Sequence, residues 1–306
     1  MREISFPSAT GVCDSHGYIW PCESPRAVLQ IVHGMSEYML RYDEFARFLN
    51  THGIVVAGID NASHGKSRKA EAAKGYFGPE TGWDNLLADI HTMRKRIEAA
   101  YTELPILLLG HSMGSFLARS YAARHGEGIH AFIFMGTAGP NPVLALGKRL
   151  AEREIRKTGG GLPSPSLAKL ATGSYNSPFQ PNRTDFDWLS RDMERVDAYV
   201  VDEDCGFPFT AAGYRDLFQG LMEISKKNWA PRVPNVPILL LSGLDDPVGG
   251  KEAGGVKIVA DRLVQTGHDV ELHLYAHARH ELLNETNRED VMQDILLFVD
   301  KALEKA

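Results

Sequence analysis

Ser112 stands at the centre of Gly110-His111-Ser112-Met113-Gly114, between an apolar run at residues 106–109 and a stretch where Phe116, Leu117, Ser120, Tyr121 and Ala123 recur at helical spacing. That order reads as a buried strand, a sharp turn and a helix. A serine at such a turn must take a strained backbone conformation, and small neighbours on either side let the helix pack close to the strand. The hydroxyl is then held at the strand's C-terminal end, where a helix N-terminus favours developing negative charge. Chance also produces short G-x-S-x-G patterns, so partners are required. A serine hydroxyl is a poor nucleophile at neutral pH; it needs an imidazole to take its proton and a carboxylate to orient that imidazole. The chain offers Asp245 and Asp246 after one apolar run, residues 236–241, and His277 and His280 after another, residues 269–275.

The elements that must bring these groups together follow from periodicity. Alternating segments at residues 2–7 and 17–20 suit an antiparallel hairpin at a sheet edge. Residues 27–32 (AVLQIV) read as a strand ending in His33-Gly34-Met35, followed by a helix with Tyr42, Phe45, Ala46 and Leu49 on one face and a strand at 54–59. A strand, helix, strand unit makes the sheet parallel. Trp83, Leu86, Leu87, Ile90, Met93 and Ile97 repeat at three and four, an amphipathic helix leading into the strand before Ser112. A further strand is expected at 131–135, and a final helix carries Val291, Ile295, Phe298, Val299 and Ala302. In a parallel sheet the loops after residues 135, 241 and 275 lie at the same edge as Ser112, where open α/β sheets bind ligands. A serine, an aspartate and a histidine therefore meet at one rim, in the chain order of the α/β-hydrolases.

Between residues 136 and 235 the βα rhythm stops. A loop of that length is implausible inside a compact domain, so the expectation is an inserted helical lid at 137–235, with its return helix, on a core formed by 1–136 and 236–306. Its first helix, about 142–157, combines Val143, Leu144, Leu146, Leu150 and Ile155 with Lys148, Arg149, Arg153, Arg156 and Lys157. A half-buried helix with a solvated basic face is the plainer reading; a lid making transient contact with a membrane surface is the functional one. The whole chain is 306 residues long with net charge -6 and 43% hydrophobic residues. This gives no reason to expect nucleic acid as a partner. No apolar segment is long enough to span a membrane, and the first residues lack a signal-peptide core, so a cytoplasmic protein is expected. Cys13, Cys22 and Cys205 are odd in number and without metal spacing, which points to reduced thiols.

Gly110-His111-Ser112-Met113-Gly114, His33-Gly34-Met35, Gly243-Leu244-Asp245-Asp246-Pro247-Val248-Gly249 and Arg279-His280-Glu281 together resemble the monoacylglycerol lipase and lysophospholipase branch of the α/β-hydrolases, the serine aminopeptidase S33 or Hydrolase_4 group. The resemblance covers essentially the whole core, and the lid is similar only in position and length. It implies an α/β-hydrolase fold: a mostly parallel central sheet, helices on both faces and an inserted helical lid. It also implies Ser112 as nucleophile, Asp246 as acid, His280 as base, and the backbone N–H groups of Met35 and Met113 as oxyanion hole. In the family pattern the acid lies three residues after a glycine, so Gly243 selects Asp246 over Asp245, and the Arg-His-Glu pattern selects His280 over His277. No cofactor is implied, and no two of His64, His111, His277 and His280 sit at a metal-ligand spacing on one element, so no metal is expected. The implied substrate is a small acyl ester, of glycerol or a lysophospholipid. A thioesterase needs the same triad. A proline-type aminopeptidase would also need acids to grip an amino terminus, for which Asp202, Glu203 and Asp204 could serve unless they are a solvated run. A non-catalytic binding protein on the same scaffold is a further alternative. The family commonly has Asp-x-x-Gly-His-Gly-x-Ser where this chain carries Ser63 in place of the first glycine, so a changed turn is expected there. Pocket walls and oligomeric state are not legible.

Overall fold

In the computed structural model, which describes residues 1–69 and 72–305, the strand Ala27–Val32 sends Val28 and Val32 to one face of a sheet and Ala27, Leu29 and Ile31 to the other, all buried. A strand that is apolar on both faces requires cover on both. Its one polar residue, Gln30, is buried and donates Nε2–H to the Ile90 carbonyl at 2.9 Å, while its Oε1 has no protein partner among the described residues.

In chain order the elements are β1 (Arg2–Pro7), β2 (Asp14–Trp20), β3 (Ala27–Val32), α1 (Asp43–Asn50), β4 (Ile54–Ile59), α2 (Gly82–Ala100), β5 (Ile106–His111), α3 (Met113–His125) and β6 (Ala131–Met135). Then come α4 (Leu144–Thr158), α5 (Pro165–Thr172), α6 (Met193–Val201), α7 (Ala211–Ser225), β7 (Ile238–Gly243), α8 (Gly254–Val264), β8 (Val270–Tyr275) and α9 (Arg288–Glu304). The strands form one sheet in the order β1-β2-β4-β3-β5-β6-β7-β8. The β1–β2 and β2–β4 pairs are antiparallel and the rest parallel. Trp83 of α2, Phe116 of α3 and Val259 of α8 close one face, and Phe45 of α1 and Ile295 of α9 close the other. Each such buried side chain contributes roughly 1.5–3 kcal/mol. The fold is that of the α/β-hydrolases, as the sequence implies.

Between β6 and β7 the described residues form helices, with a single isolated bridge from Pro163 to Thr210. Local chemistry starts three of the helices: the side chains of Ser164, Asp192 and Thr210 accept backbone N–H groups in the first turns of α5, α6 and α7. On α4 only Leu144, Gly147 and Ala151 are buried. Val143, just before α4, and Leu146 and Leu150 on it are 56%, 55% and 39% exposed.

Candidate active site

Register places the loops. Gly243 and Tyr275, the last residues of β7 and β8, are direct partners, so Asp246 and His280 follow from neighbouring strand ends. Across the sheet His111 pairs with Met135, and the Ser112 N–H donates to the Met135 carbonyl at 2.9 Å. Ser112 itself has φ 53° and ψ -123°, the strained turn expected of a serine between strand and helix. The turn is possible because both flanking positions lack a side chain. A Cβ on Gly110 would lie 2.2 Å from the Gly114 carbonyl oxygen, and one on Gly114 would lie 2.0 Å from that of Val32.

Asp246 and His280 are buried, at 1% and 2% exposure. The His280 Nδ1 lies 3.0 Å from both carboxylate oxygens of Asp246, and the Val248 N–H donates to Oδ1 at 2.9 Å, fixing the carboxylate's plane. That pairing makes Nδ1 the donor and leaves Nε2 with the lone pair. Trp188 packs against the imidazole with ring centroids 5.0 Å apart. The competing residues are elsewhere: Asp245 is exposed, and the His277 side chain is 82% exposed with its Nδ1 3.9 Å from Asp245.

Ser112, His280, Met35 and Met113 line one cavity of about 1110 Å³. Among the described residues, neither the Met35 nor the Met113 backbone N–H is given to another protein group. Met113 opens α3, so its N–H is one of the unpaired donors of a helix N-terminus. Two buried histidines hold the loop that carries Met35. His33 accepts the Asn61 N–H at Nε2 (2.7 Å) and reaches the Gly34 carbonyl from Nδ1 (2.8 Å); His64 accepts the Ser36 N–H (3.2 Å) and reaches the Ala62 carbonyl (3.0 Å). Burial pushes the His33 pKa down to about 4 and that of His64 to about 3, so both are neutral and each can accept at one nitrogen and donate at the other. Ser63 is a strained residue: φ is 62°, the left-handed region that favours glycine, and the hydroxyl donates to the Tyr76 carbonyl at 2.6 Å.

The acidic run in the insertion is engaged away from the cavity. Asp202 accepts the Tyr38 hydroxyl at 2.6 Å, and Asp204 pairs with Arg68 at 3.4 Å and Lys74 at 3.2 Å. The residues that sequence reasoning did not single out are Trp188, Tyr175, Glu37 and Arg41; Glu281 entered only as a neighbour of His280 in the Arg-His-Glu pattern. Tyr175 lines the cavity, and burial pushes its phenol up to about 12. Its position in an insertion without periodic strands offered no signal.

Comparison with known proteins places this geometry among relatives. The family model described as "Serine aminopeptidase, S33" matches residues 23–287. The monoacylglycerol lipase of Mycolicibacterium smegmatis is 27% identical over 308 residues, spanning 97% of this chain and 96% of that one. The monoglyceride lipase of Rattus norvegicus is 30% identical over 235 residues, 75% of this chain and 68% of that one. Among solved structures, a thermostable carboxyl esterase from Bacillus coagulans, in complex with glycerol, superposes with TM-score 0.93 at 32% identity, covering 99% of this chain and 98% of that one.

Proposed function

The chain belongs to the Hydrolase_4 (serine aminopeptidase, S33) family and is a serine ester hydrolase, and from that premise we propose that it is a monoacylglycerol lipase or lysophospholipase-like esterase. In this reading Ser112 is the nucleophile, His280 the base, Asp246 the orienting acid, and Met35 and Met113 supply the oxyanion hole. The observation that carries it is the shared cavity: Ser112 and His280 open into a space larger than an ordinary small-ligand pocket and walled by Phe116, Leu144, Leu217, Phe218 and Leu221. An acyl chain gains about 0.8 kcal/mol for each methylene it buries against such walls.

The steps follow from the groups. The Nε2 of His280 takes the Ser112 proton as Oγ attacks the ester carbonyl, and the imidazolium that forms is stabilised by Asp246. The carbonyl oxygen becomes an oxyanion held by the N–H groups of Met35 and Met113, already in place before charge develops. His280 then gives its proton to the departing alcohol, leaving an acyl-serine. Water repeats the sequence and releases the acid. Residues 137–235 act as the lid that encloses the acyl group. The engagement of Asp202 and Asp204 with Tyr38, Arg68 and Lys74 argues against their gripping a peptide amino terminus.

The test is a panel of monoacylglycerols, lysophospholipids, p-nitrophenyl esters, an acyl thioester and a prolyl naphthylamide, assayed on wild type and Ser112→Ala, together with fluorophosphonate labelling. Ser112→Ala should lose labelling and at least about 10⁴-fold in kcat. Full activity in Ser112→Ala would end the mechanism, and preferred cleavage of the naphthylamide or thioester would end the substrate assignment.

A further inference from the structure

On the wall of the cavity, Glu37, His111 and Glu281 form a cluster of ionisable residues with the partly buried Arg41. The Glu37 carboxylate, 3% exposed, accepts at Oε1 the Gly34 N–H at 2.6 Å, the Tyr42 hydroxyl at 2.9 Å and the His111 Nδ1–H at 3.0 Å, and at Oε2 an Arg41 Nη1–H at 2.9 Å. Arg41 also grips Glu281 with two bonds of 2.7 and 2.6 Å. The other nitrogen of His111, Nε2, lies 3.3 Å from the backbone carbonyl of His280.

These contacts fix the state of His111. A backbone carbonyl only accepts, and the Glu37 carboxylate, already receiving three other donors, only accepts as well. A ring with acceptors at both nitrogens donates from both as imidazolium; in the neutral alternative the Tyr42 hydroxyl, 3.1 Å from Nδ1, would donate to that nitrogen and leave its lone pair facing the Glu37 oxygen at 3.0 Å, which the carboxylate's charge disfavours. The charge balance agrees: Glu37 and Glu281 against Arg41 alone would leave one uncompensated buried negative charge, which a protonated His111 cancels. The groups facing the ring are Glu37 and Tyr42 from the segment after β3, with Arg41 and His33 nearby, and from the loop after β8 the His280 ring (centroids 5.0 Å apart) and the charge of Glu281. Burial alone would lower the pKa of His111, but the bond and charge of Glu37, the charge of Glu281 and the His280 carbonyl raise it. Glu37 is correspondingly held low by His111 and Arg41 against its own burial.

We propose that Glu37 and a standing imidazolium at His111 are positioning residues for ester hydrolysis. Through Gly34 the pair sets the loop of the oxyanion donor Met35, through His111 it sets the residue next to Ser112, and through the His280 carbonyl it sets the loop of the base. One carboxylate thus couples the three segments whose mutual placement the reaction needs, and neither residue takes part in proton transfer. The proposal rests on the assignment of Ser112 and His280 given above. It has a pH signature of definite sign. A pKa raised in the folded state means that the contribution is complete at low pH and is lost as pH rises through the folded value, so the kcat profile should fall on its alkaline side as His111 loses its proton.

Two measurements decide it. The ¹⁵N spectrum of imidazole-labelled wild type, with His111→Gln for assignment, should show both nitrogens of His111 protonated at pH 7; a neutral ring there overturns the proposal without any functional variant having to fold. Glu37→Gln, checked for native circular dichroism, should lower kcat on a p-nitrophenyl ester by roughly 10- to 100-fold with KM changed less than about threefold, and move the alkaline limb of kcat down by at least about one pH unit. A Glu37→Gln enzyme with wild-type kcat and wild-type pH profile overturns it equally. If instead Ser112→Ala keeps its activity, the site assignment has failed, and the ¹⁵N result still reports on His111 independently.

Discussion

At the scale of single residues, the oxyanion hole makes the sharpest demand, because a backbone N–H has no substitute. Under the proposed mechanism the Met35 side chain is incidental and its N–H is not. Met35→Ala should keep kcat within a few-fold, whereas Met35→Pro, which removes the donor, should cost roughly 10²- to 10³-fold. Steady-state kinetics on a soluble ester measure both, and equal activity of the two variants would show that the N–H does not bind the oxyanion. The same scale shows what could be read from the chain. Ser112, Asp246 and His280 each follow a strand whose sequence announces it, so their meeting at one rim follows from topology. Glu37 and Arg41 carry no comparable signal, and the Arg-His-Glu pattern that contains Glu281 does not say what that carboxylate pairs with. Arg41 and Glu281 are separated by 240 positions, and an isolated Glu or Arg in a sequence reads as a solvated charge until the fold buries it beside its partner. Trp188 is similar: a tryptophan in an aperiodic stretch does not declare that it will lie against a histidine 92 residues later.

The presence of each core strand was legible from its run or alternation, and its limits were legible where that pattern ends sharply. Strands β3, β4 and β6 have the limits expected from their apolar runs, because strands covered on both faces are apolar almost throughout, and β1 has the limits expected from its alternation. The limits of β2 and β7 differ by a few residues. β2 begins at Asp14, where the pairing to β1 continues through polar residues that propensity would assign to a turn. In the insertion the first helix, expected at about 142–157, is α4 (Leu144–Thr158), whereas α5 and α6 are short and started by the caps Ser164 and Asp192, which no strong repeat announces. The junction of β5 and α3 is the element contact on which the serine depends, and it allows a direct test. The methyl group in Gly114→Ala would sit 2.0 Å from the Val32 oxygen and 2.5 Å from the His33 oxygen, both backbone atoms that cannot rotate away. That variant should lose more than about 3 kcal/mol in urea unfolding or fail to accumulate as folded protein. Gly161→Ala, where no atom lies within 4 Å, should unfold within about 0.5 kcal/mol of wild type.

For the molecule as a whole, the insertion is joined to the core in two unlike ways. Its later part is bonded to the loops that frame the cavity. The Gly206 N–H donates to Ser36 O at 3.1 Å, the Glu281 N–H to Leu189 O at 2.7 Å, and Arg191 pairs with Glu285 at 2.8 Å. In the earlier part α4 packs on α7 and α5 on α4, and Leu146, Leu150, Leu170 and, in the connection between the two helices, Leu162 are exposed. No helix among the described residues is long and apolar enough to cross a membrane, yet a substrate with a long acyl chain is presented in micelles or bilayers. An apolar strip one turn long, flanked by Lys148, Arg149 and Arg153, suits contact with such a surface by burial and by charge. Leu146 and Leu150 lie outside the cavity lining, so Leu146→Glu/Leu150→Glu leaves the chemistry in place and removes the contact. On monoacylglycerol dispersed in anionic vesicles the double variant should be slower by tenfold or more, the loss of about 1.4 kcal/mol of interfacial binding. On p-nitrophenyl butyrate in solution it should match wild type within about twofold. Equal loss on both substrates would mean that the strip supports the cavity instead, and no loss on vesicles would mean that the substrate reaches Ser112 without α4 touching the lipid surface.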